Sequence, residues 1–221
     1  MQTTLSVKEL TAYVSKQVDA FFPDNGNITL IGKHIVPALE RIKHCFARIR
    51  AKYFRVDGTT AFNHLHGDQY AMFLYILSNQ IYREEGDAAV CEKLFGMNKL
   101  LHGIDCFYSI NLPSVFLFCH PVGTVLGKAR YGDFLLVNQN CTVGSNHDTD
   151  YPSIGRNVAL YKSASVLGRS HIGDNCKIAA DSTVMDQDIP GNSIYAGNRN
   201  SFVIKPFTKS DIVWDEQYLS A

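Results

Sequence analysis

IGRNVALYKSASVLGRSHIGDNCKIAADSTV, residues 154–184, carries a large aliphatic residue at every sixth position: Ile154, Leu160, Val166, Ile172, Ile178 and Val184. The same interval runs upstream through Val125, Tyr131, Val137 and Val143, broken once between Gly144 and Ser153. Two residues before most of these positions stands a small side chain (Gly123, Ala129, Cys141, Ala164, Ser170, Cys176, Ser182), and Gly144, Gly155 and Gly173 follow others. A period of six is neither helical nor that of a simple amphipathic strand, and it marks a parallel β-helix. Each hexad makes one flat side, and three sides close a coil of about 18 residues; the aliphatic fills the interior and the small residue fits the corner. Stacked coils, about 4.8 Å apart, cover one another's backbone groups by strand pairing. The strands of a β-sandwich would not share one phase. The interruption cannot fit inside the solenoid, so residues 145–153 are expected to project as a loop, where repeat scaffolds carry binding groups.

Upstream the spacing is helical. Ser6 stands three residues before Glu9, a capping box that starts a helix. Ile35, Val36, Leu39, Ile42, Phe46 and Ile49 recur at three- and four-residue intervals and are expected on one buried face, with Glu40, Arg41, Lys43 and Arg48 largely outside it. Tyr70 to Tyr82 is apolar nearly all round. A fourth helix is expected from Asp87 as N-cap, through Val90, Leu94, Met97 and Leu101, to Gly103 as C-cap. The expected fold class is α+β: a helical bundle over residues 1–104, a β-helix over 105–206 with the loop, and a tail over 207–221. Trp214 and Tyr218 suit that tail to an ordered cap or a partner contact.

Lys plus Arg equals Asp plus Glu at 21 each in the 221 residues, so no overall field draws the chain to nucleic acid or an anionic membrane. The six cysteines (Cys45, Cys91, Cys106, Cys119, Cys141, Cys176) are scattered without a C-x-x-C pair, and no charged-then-apolar leader precedes them. The longest apolar run, Ala71 to Leu77, is far short of the roughly 20 residues of a membrane span. The expectation is a cytoplasmic protein with no membrane span, no nucleic-acid partner and no metal.

The stretch from His120 to Gly127 reads HPVGTVLG, and the pair Ile104-Asp105 places an aspartate fifteen residues before His120. With the unbroken repeats from Pro152 to Val184, and Ile189-Pro190 followed by Tyr195-Ala196-Gly197, these segments resemble the serine acetyltransferase branch of the hexapeptide acyltransferases. The resemblance covers about residues 105–206 and is loose in the helical region. It implies a left-handed winding, against the usual right-handed crossover rule. It also implies acetyl-CoA as donor, His120 as catalytic histidine and Asp105 as its carboxylate partner. Coenzyme A would lie between adjacent solenoids of a homotrimer or dimer of trimers, against Gly144, Lys162, Ser163, Ala180, Gly197 and Arg199. The residue types suit acetyl transfer to a hydroxyl, which needs a base that is partly neutral near pH 7. An aspartate on the other ring nitrogen would fix the tautomer and stabilise the imidazolium. Continuing the hexad phase backward puts position 119 inside and His120 outside. His34, His44, His64, His102 and His171 are read as structural or surface residues.

Departures from the family bear on the acceptor. Its loop carries Arg-His-Pro where this chain reads Asp150-Tyr151-Pro152, and an acid there disfavours an acceptor carboxylate. Asn146, His147, Asp148 and Asp150 would suit hydroxyls, as on a sugar. Cys119 replaces an aspartate before the catalytic histidine. The polar segment with His66 and Asp68 either lines the acceptor pocket or caps the next helix. The expected function is an acetyl-CoA-dependent O-acetyltransferase acting on a small or saccharide hydroxyl, such as a unit of a surface polysaccharide. Alternatives are serine O-acetylation in cysteine biosynthesis, amino-sugar N-acetylation and a silent trimeric scaffold.

Overall fold

The computed structural model describes residues 1–24, 26, 28–86, 88–146, 149–207 and 213–219. Four helices come first: α1 (Val7–Phe21), α2 (Thr29–Phe46), α3 (Gly67–Glu85) and α4 (Ala89–His102). The Ser6–Glu9 capping box forms and starts α1. α3 is buried continuously from Gln69 to Ile81, as its apolar circumference requires, with α2 and α4 against it. Its polar groups are satisfied internally: Asn79 donates to the Tyr108 carbonyl at 2.8 Å and Gln69 to the Tyr53 carbonyl at 2.7 Å. Gly103, in left-handed conformation, ends α4 as expected. Asp87 lies outside the described residues; Ala88 occupies the N-cap without a side-chain bond.

Two readings of this half are corrected. Ile35, Leu39, Ile42 and Phe46 are buried, but Val36 is exposed, because one step of about 100° from Ile35 carries it off the face. Ile49 is buried beyond the end of α2, where it bridges Trp214 of the tail. A three-stranded sheet of Gln2–Thr3, Thr59–Phe62 and Arg55–Val56, with no counterpart in the helical spacing, packs beside the helices.

From Asp105 the chain winds as a left-handed β-helix matching the expected class. Its first face stacks Phe116–Phe118, Leu135–Val137, Ala159–Leu160, Lys177–Ile178 and Ser193–Asn198 in parallel. The second stacks Asp105–Cys106, Val125–Leu126, Thr142–Gly144, Ser165–Leu167 and Thr183–Met185. The third stacks Arg130–Tyr131, Ser153–Ile154, His171–Ile172 and Asp188–Ile189. Val137, Val143, Ile154, Leu160, Val166, Ile172, Ile178 and Val184 fill the interior as the hexad phase required. An antiparallel strand, Ser201–Pro206, closes the first face.

The phase fails at the first coil. Val125 is 41% exposed and Leu126 is the interior residue, paired across from Val143. Phe118, paired with Val137, points inward where position 119 was expected to. Eight residues therefore separate Phe118 from Leu126, where six separate Val137 from Val143. The two extra residues enlarge one corner, and that corner holds His120. Thr124, fully buried, takes the corner-filling role expected of Gly123, and its hydroxyl donates to the Asn138 carbonyl at 3.0 Å.

The other corners are regular and depend on left-handed backbone, at Asn140, Ser163 and Asp181 between the first and second faces. Between the third and first faces Asn157, Asn175 and Asn192 adopt it, residues whose short polar side chains tolerate positive φ. Their side chains form a ladder, Asn157 to Asn175 at 2.9 Å and Asn175 to Asn192 at 2.7 Å. The tail is ordered where described. Trp214 is buried edge-on to Phe134, and Arg156 donates to the Tyr218 and Leu219 carbonyls. Among the described residues no helix is long and apolar enough to cross a membrane.

Candidate active site

The edge between the first and second faces is a backbone ladder: Gly123 N–H donates to Gly103, Asn140 to Val122, Ser163 to Gln139 and Asp181 to Lys162, each at 2.9 Å. His120 stands at the enlarged first corner of this edge. Its φ is +53°, a left-handed conformation uncommon for a residue with a side chain, and its imidazole is 76% exposed. Strain of this kind persists only where the surroundings hold it. Here the His120 N–H donates to Asp68 Oδ1 at 3.1 Å, and Asp68 Oδ2 lies 3.9 Å from His120 Nδ1. Asp68 is in the first turn of α3, where a carboxylate suits the positive end of the helix dipole. The buried helix thus carries a carboxylate to the solenoid's corner.

Cys119 is half-buried beside them, and burial, with the Asp68 charge second, pushes its thiol up. It contributes a neutral group where the family has a carboxylate. The donor atoms of Asp68, Cys119 and His120 lie within 4.8 Å of one another and are of kinds that bind divalent metals. His102, read as structural, hydrogen-bonds Asn98 at 2.8 Å; burial lowers its pKa, with the Asp68 charge opposing that fall. His66 occupies the N-cap of α3 without making a cap bond. Its ring packs by Tyr53 and Phe54, and its buried Nδ1 finds no partner among the described residues.

Asp105 does not meet His120. Its carboxylate is held by Lys99 of α4, Nζ to Oδ2 at 2.5 Å, while its backbone joins the second face at Thr124. The lysine six positions earlier in sequence reaches it first, a local pairing that the fifteen-residue spacing to His120 could not reveal. Asp68 makes the contact expected of Asp105, and its only sequence signal was a polar segment ahead of an apolar helix.

The residues expected to hold coenzyme divide between two edges. Lys162, Ser163 and Ala180 stack above His120 along the same edge; Lys162 is exposed and 3.5 Å from Asp181. Gly144 and Arg199 belong to the opposite edge of the second face. Arg199 Nη1 is 3.8 Å from Asp186, to which Asn146 also donates at 3.2 Å. A Cβ on Gly144 would meet nothing within 4 Å, so that surface is open. Gly197, φ +122°, lies in the closing hairpin, where a Cβ would meet the Ser201 carbonyl at 2.3 Å. It therefore has a backbone reason to be glycine.

In the interruption between residues 144 and 153, Asp150 pairs with Arg169 at 3.6 Å, while His147 and Asp148 lie outside the described residues. A cavity of about 420 Å³ is lined by Lys128, Arg130, Tyr151, Ser153 and His171. Lys128 lies over the Tyr151 ring at 4.4 Å, and Ser153 is hydrogen-bonded to His171 at 2.7 Å. Sequence reasoning passed over Lys128 and Arg130 because they fall on outward positions of an otherwise ordinary repeat.

Fold and corner together define the class, a left-handed β-helix of hexapeptide repeats joined to an N-terminal helical region. Within that class the resemblance to serine acetyltransferases holds in both sequence and fold. No protein-family model matches the chain. A serine acetyltransferase of Synechococcus elongatus is 30% identical over 105 residues, which span 46% of this chain and only 43% of that relative. One from Staphylococcus aureus is 24% identical over 182 residues, 80% of this chain and 83% of the relative. Crystal structures of serine acetyltransferases share the fold. That from Neisseria gonorrhoeae has a TM-score of 0.68 at 21% identity, covering 94% of this chain and 80% of its own. That from Vibrio cholerae has 0.67 at 19%, covering 83% and 72%.

Proposed function

We propose that this chain is an acetyl-CoA-dependent O-acetyltransferase with His120 as general base. The observation that carries the reading is the enlarged corner. It holds an exposed imidazole beside the Asp68 carboxylate, at one end of an edge whose further layers, beyond Gln139 and Asn140, present Lys162, Ser163 and Ala180. Coils rise about 4.8 Å each, so these layers give an extended coenzyme a track leading to His120. Bound acetyl-CoA supplies the activated acetyl thioester. His120 would take the proton from the acceptor hydroxyl as that oxygen attacks the thioester carbonyl, and the imidazolium would return it to the coenzyme A sulfur as the C–S bond breaks, leaving the acetyl ester and free thiol. Asp68, with its ion-pair geometry to Nδ1, orients the ring and stabilises the imidazolium, the role that the family resemblance gave to Asp105. The assembly we propose is a trimer, in which a neighbouring copy brings the Gly144–Arg199 edge to the His120 edge.

For the acceptor we favour a sugar hydroxyl, because Asp150 stands where a carboxylate-bearing acceptor wants a cation. Serine is the second reading, favoured by the names of the sequence relatives and by Arg169, which neutralises Asp150. The deciding experiment follows thiol release from acetyl-CoA with L-serine, amino sugars and nucleotide-linked or oligomeric sugars. Turnover is expected, and His120→Ala should cut it by about 10²- to 10⁴-fold with coenzyme binding nearly unchanged. Undiminished turnover in that variant removes the mechanism; calorimetry showing no acetyl-CoA binding would favour a scaffold.

A further inference from the structure

Away from His120, a cavity of about 400 Å³ opens where α2, α3 and the segment entering the first coil meet. Its walls carry Arg41 and His44 from α2, Ile76 and Arg83 from α3, and Leu112 and Phe116 from the entering segment, with Ser114 and Glu40 also on its lining. The guanidinium of Arg41 is part-buried and donates to neutral oxygens: the Ile76 carbonyl at 3.4 Å, Gln80 Oε1 at 3.1 Å and Asn79 Oδ1 at 2.9 Å. Among the described residues no carboxylate pairs with it, and its Nε–H and one Nη2–H make no hydrogen bond. Buried charges are ordinarily paired, and an unpaired one is costly. Burial lowers the Arg41 pKa, and the like charge of Arg83 adds to the fall. Arg83 is exposed and makes no hydrogen bond or ion pair among the described residues. Glu40, the acid on this wall, is already engaged with Lys43 at 3.4 Å.

We infer that this cavity binds a small organic carboxylate with a compact apolar body. The planar fork of a guanidinium matches a carboxylate with two parallel hydrogen bonds, and the idle donors of Arg41 together with free Arg83 supply them. Ile76, Leu112 and Phe116 offer the rest of the ligand an apolar wall. His44 faces the same space, its pKa lowered by burial first and by Arg48 next, and Ser114 adds a hydroxyl. The volume falls in the range of small-molecule sites. An occupant would touch α3, whose first turn holds Asp68, and the strand that begins at Phe116 and ends two residues before His120.

Calorimetric titration of the full chain with benzoate, with its neutral analogue benzamide and with inorganic phosphate tests the site without reference to catalysis. Benzoate is expected to bind, with benzamide and phosphate weaker. Arg83→Gln should weaken benzoate by about tenfold or more, the loss of one charge-assisted hydrogen bond. Arg41→Gln should weaken it further, but Arg41 also ties α2 to α3, so the rim variant Arg83→Gln is the test that leaves the fold alone. Benzamide binding as well as benzoate, phosphate binding better, or an unchanged benzoate affinity in Arg83→Gln would each overturn the assignment.

Discussion

The two halves of the molecule enclose their interiors in different ways. α3 is buried around its whole circumference from Gln69 to Ile81, so the side chains of that stretch depend mainly on partners distant in sequence. In the solenoid the second-face strands Thr142–Gly144, Ser165–Leu167 and Thr183–Met185 each fully bury only the middle residue, and a coil leans mainly on the coils beside it. The first arrangement concentrates stability in one element, whereas the second distributes it along a line. The candidate site forms where the two meet: Asp68 comes from the buried helix and His120 from an irregularity in the line.

The widest test of this contrast sets a core cut in α3 against one in a coil. Phe73→Ala should cost about 3–5 kcal/mol and be felt throughout, whereas Ile178→Ala should cost about 2 kcal/mol or more, with hydrogen exchange rising mainly in neighbouring coils. Equal loss of protection in the helices from the solenoid variant would break the contrast.

Within the solenoid, Gly132→Ala is expected to cost about 1–3 kcal/mol in denaturant unfolding. Its Cβ would meet the Gly155 carbonyl carbon at 2.5 Å, and that neighbour is backbone and cannot swing away. Gly144→Ala meets nothing and should unfold like the parent, so any fall in its acetyl-CoA affinity would report on the coenzyme surface alone. Matching stability losses in the two variants would contradict the stacking described.

At the junction, Asp68→Asn should lower kcat by about tenfold with little change in coenzyme binding, while Asp105→Asn changes kcat by about twofold or less. The reverse order would return the orienting role to Asp105 and require Lys99 to release it. The smallest effect belongs to the tie between α2 and α3. Hydrogen bonds from Lys33 at 2.5 Å and then His34 at 2.7 Å hold the Glu85 carboxyl below its ordinary value. With the folded value depressed, this contribution is present above the unfolded carboxylate pKa of about 4.3 and is lost as pH falls through the folded value. Glu85→Gln should therefore flatten slightly the acid side of the stability profile, and an unchanged profile would show the tie to be without weight.

The amino-acid sequence by itself determined the solenoid from Tyr131 to Val184, because interior position there is a local property: six residues make a side, and each aliphatic falls inside whatever lies elsewhere. It likewise determined the Ser6 capping box, the Gly103 cap and the buried character of α3, and the HPVGTVLG stretch marked His120. The tertiary structure alone decided the rest. The phase broke at Val125 and Leu126 because Leu126 stands five residues before Tyr131 and eight after Phe118, unequal steps that leave no hydrophobic mark. Asp105 paired with Lys99 because carboxylates answer to the nearest cation in space. Asp68 reached His120, and Arg41 came to face a cavity beside Arg83, through the packing of α2 and α3 against the first coil, contacts that span from about forty to over seventy residues of chain and leave no period to read.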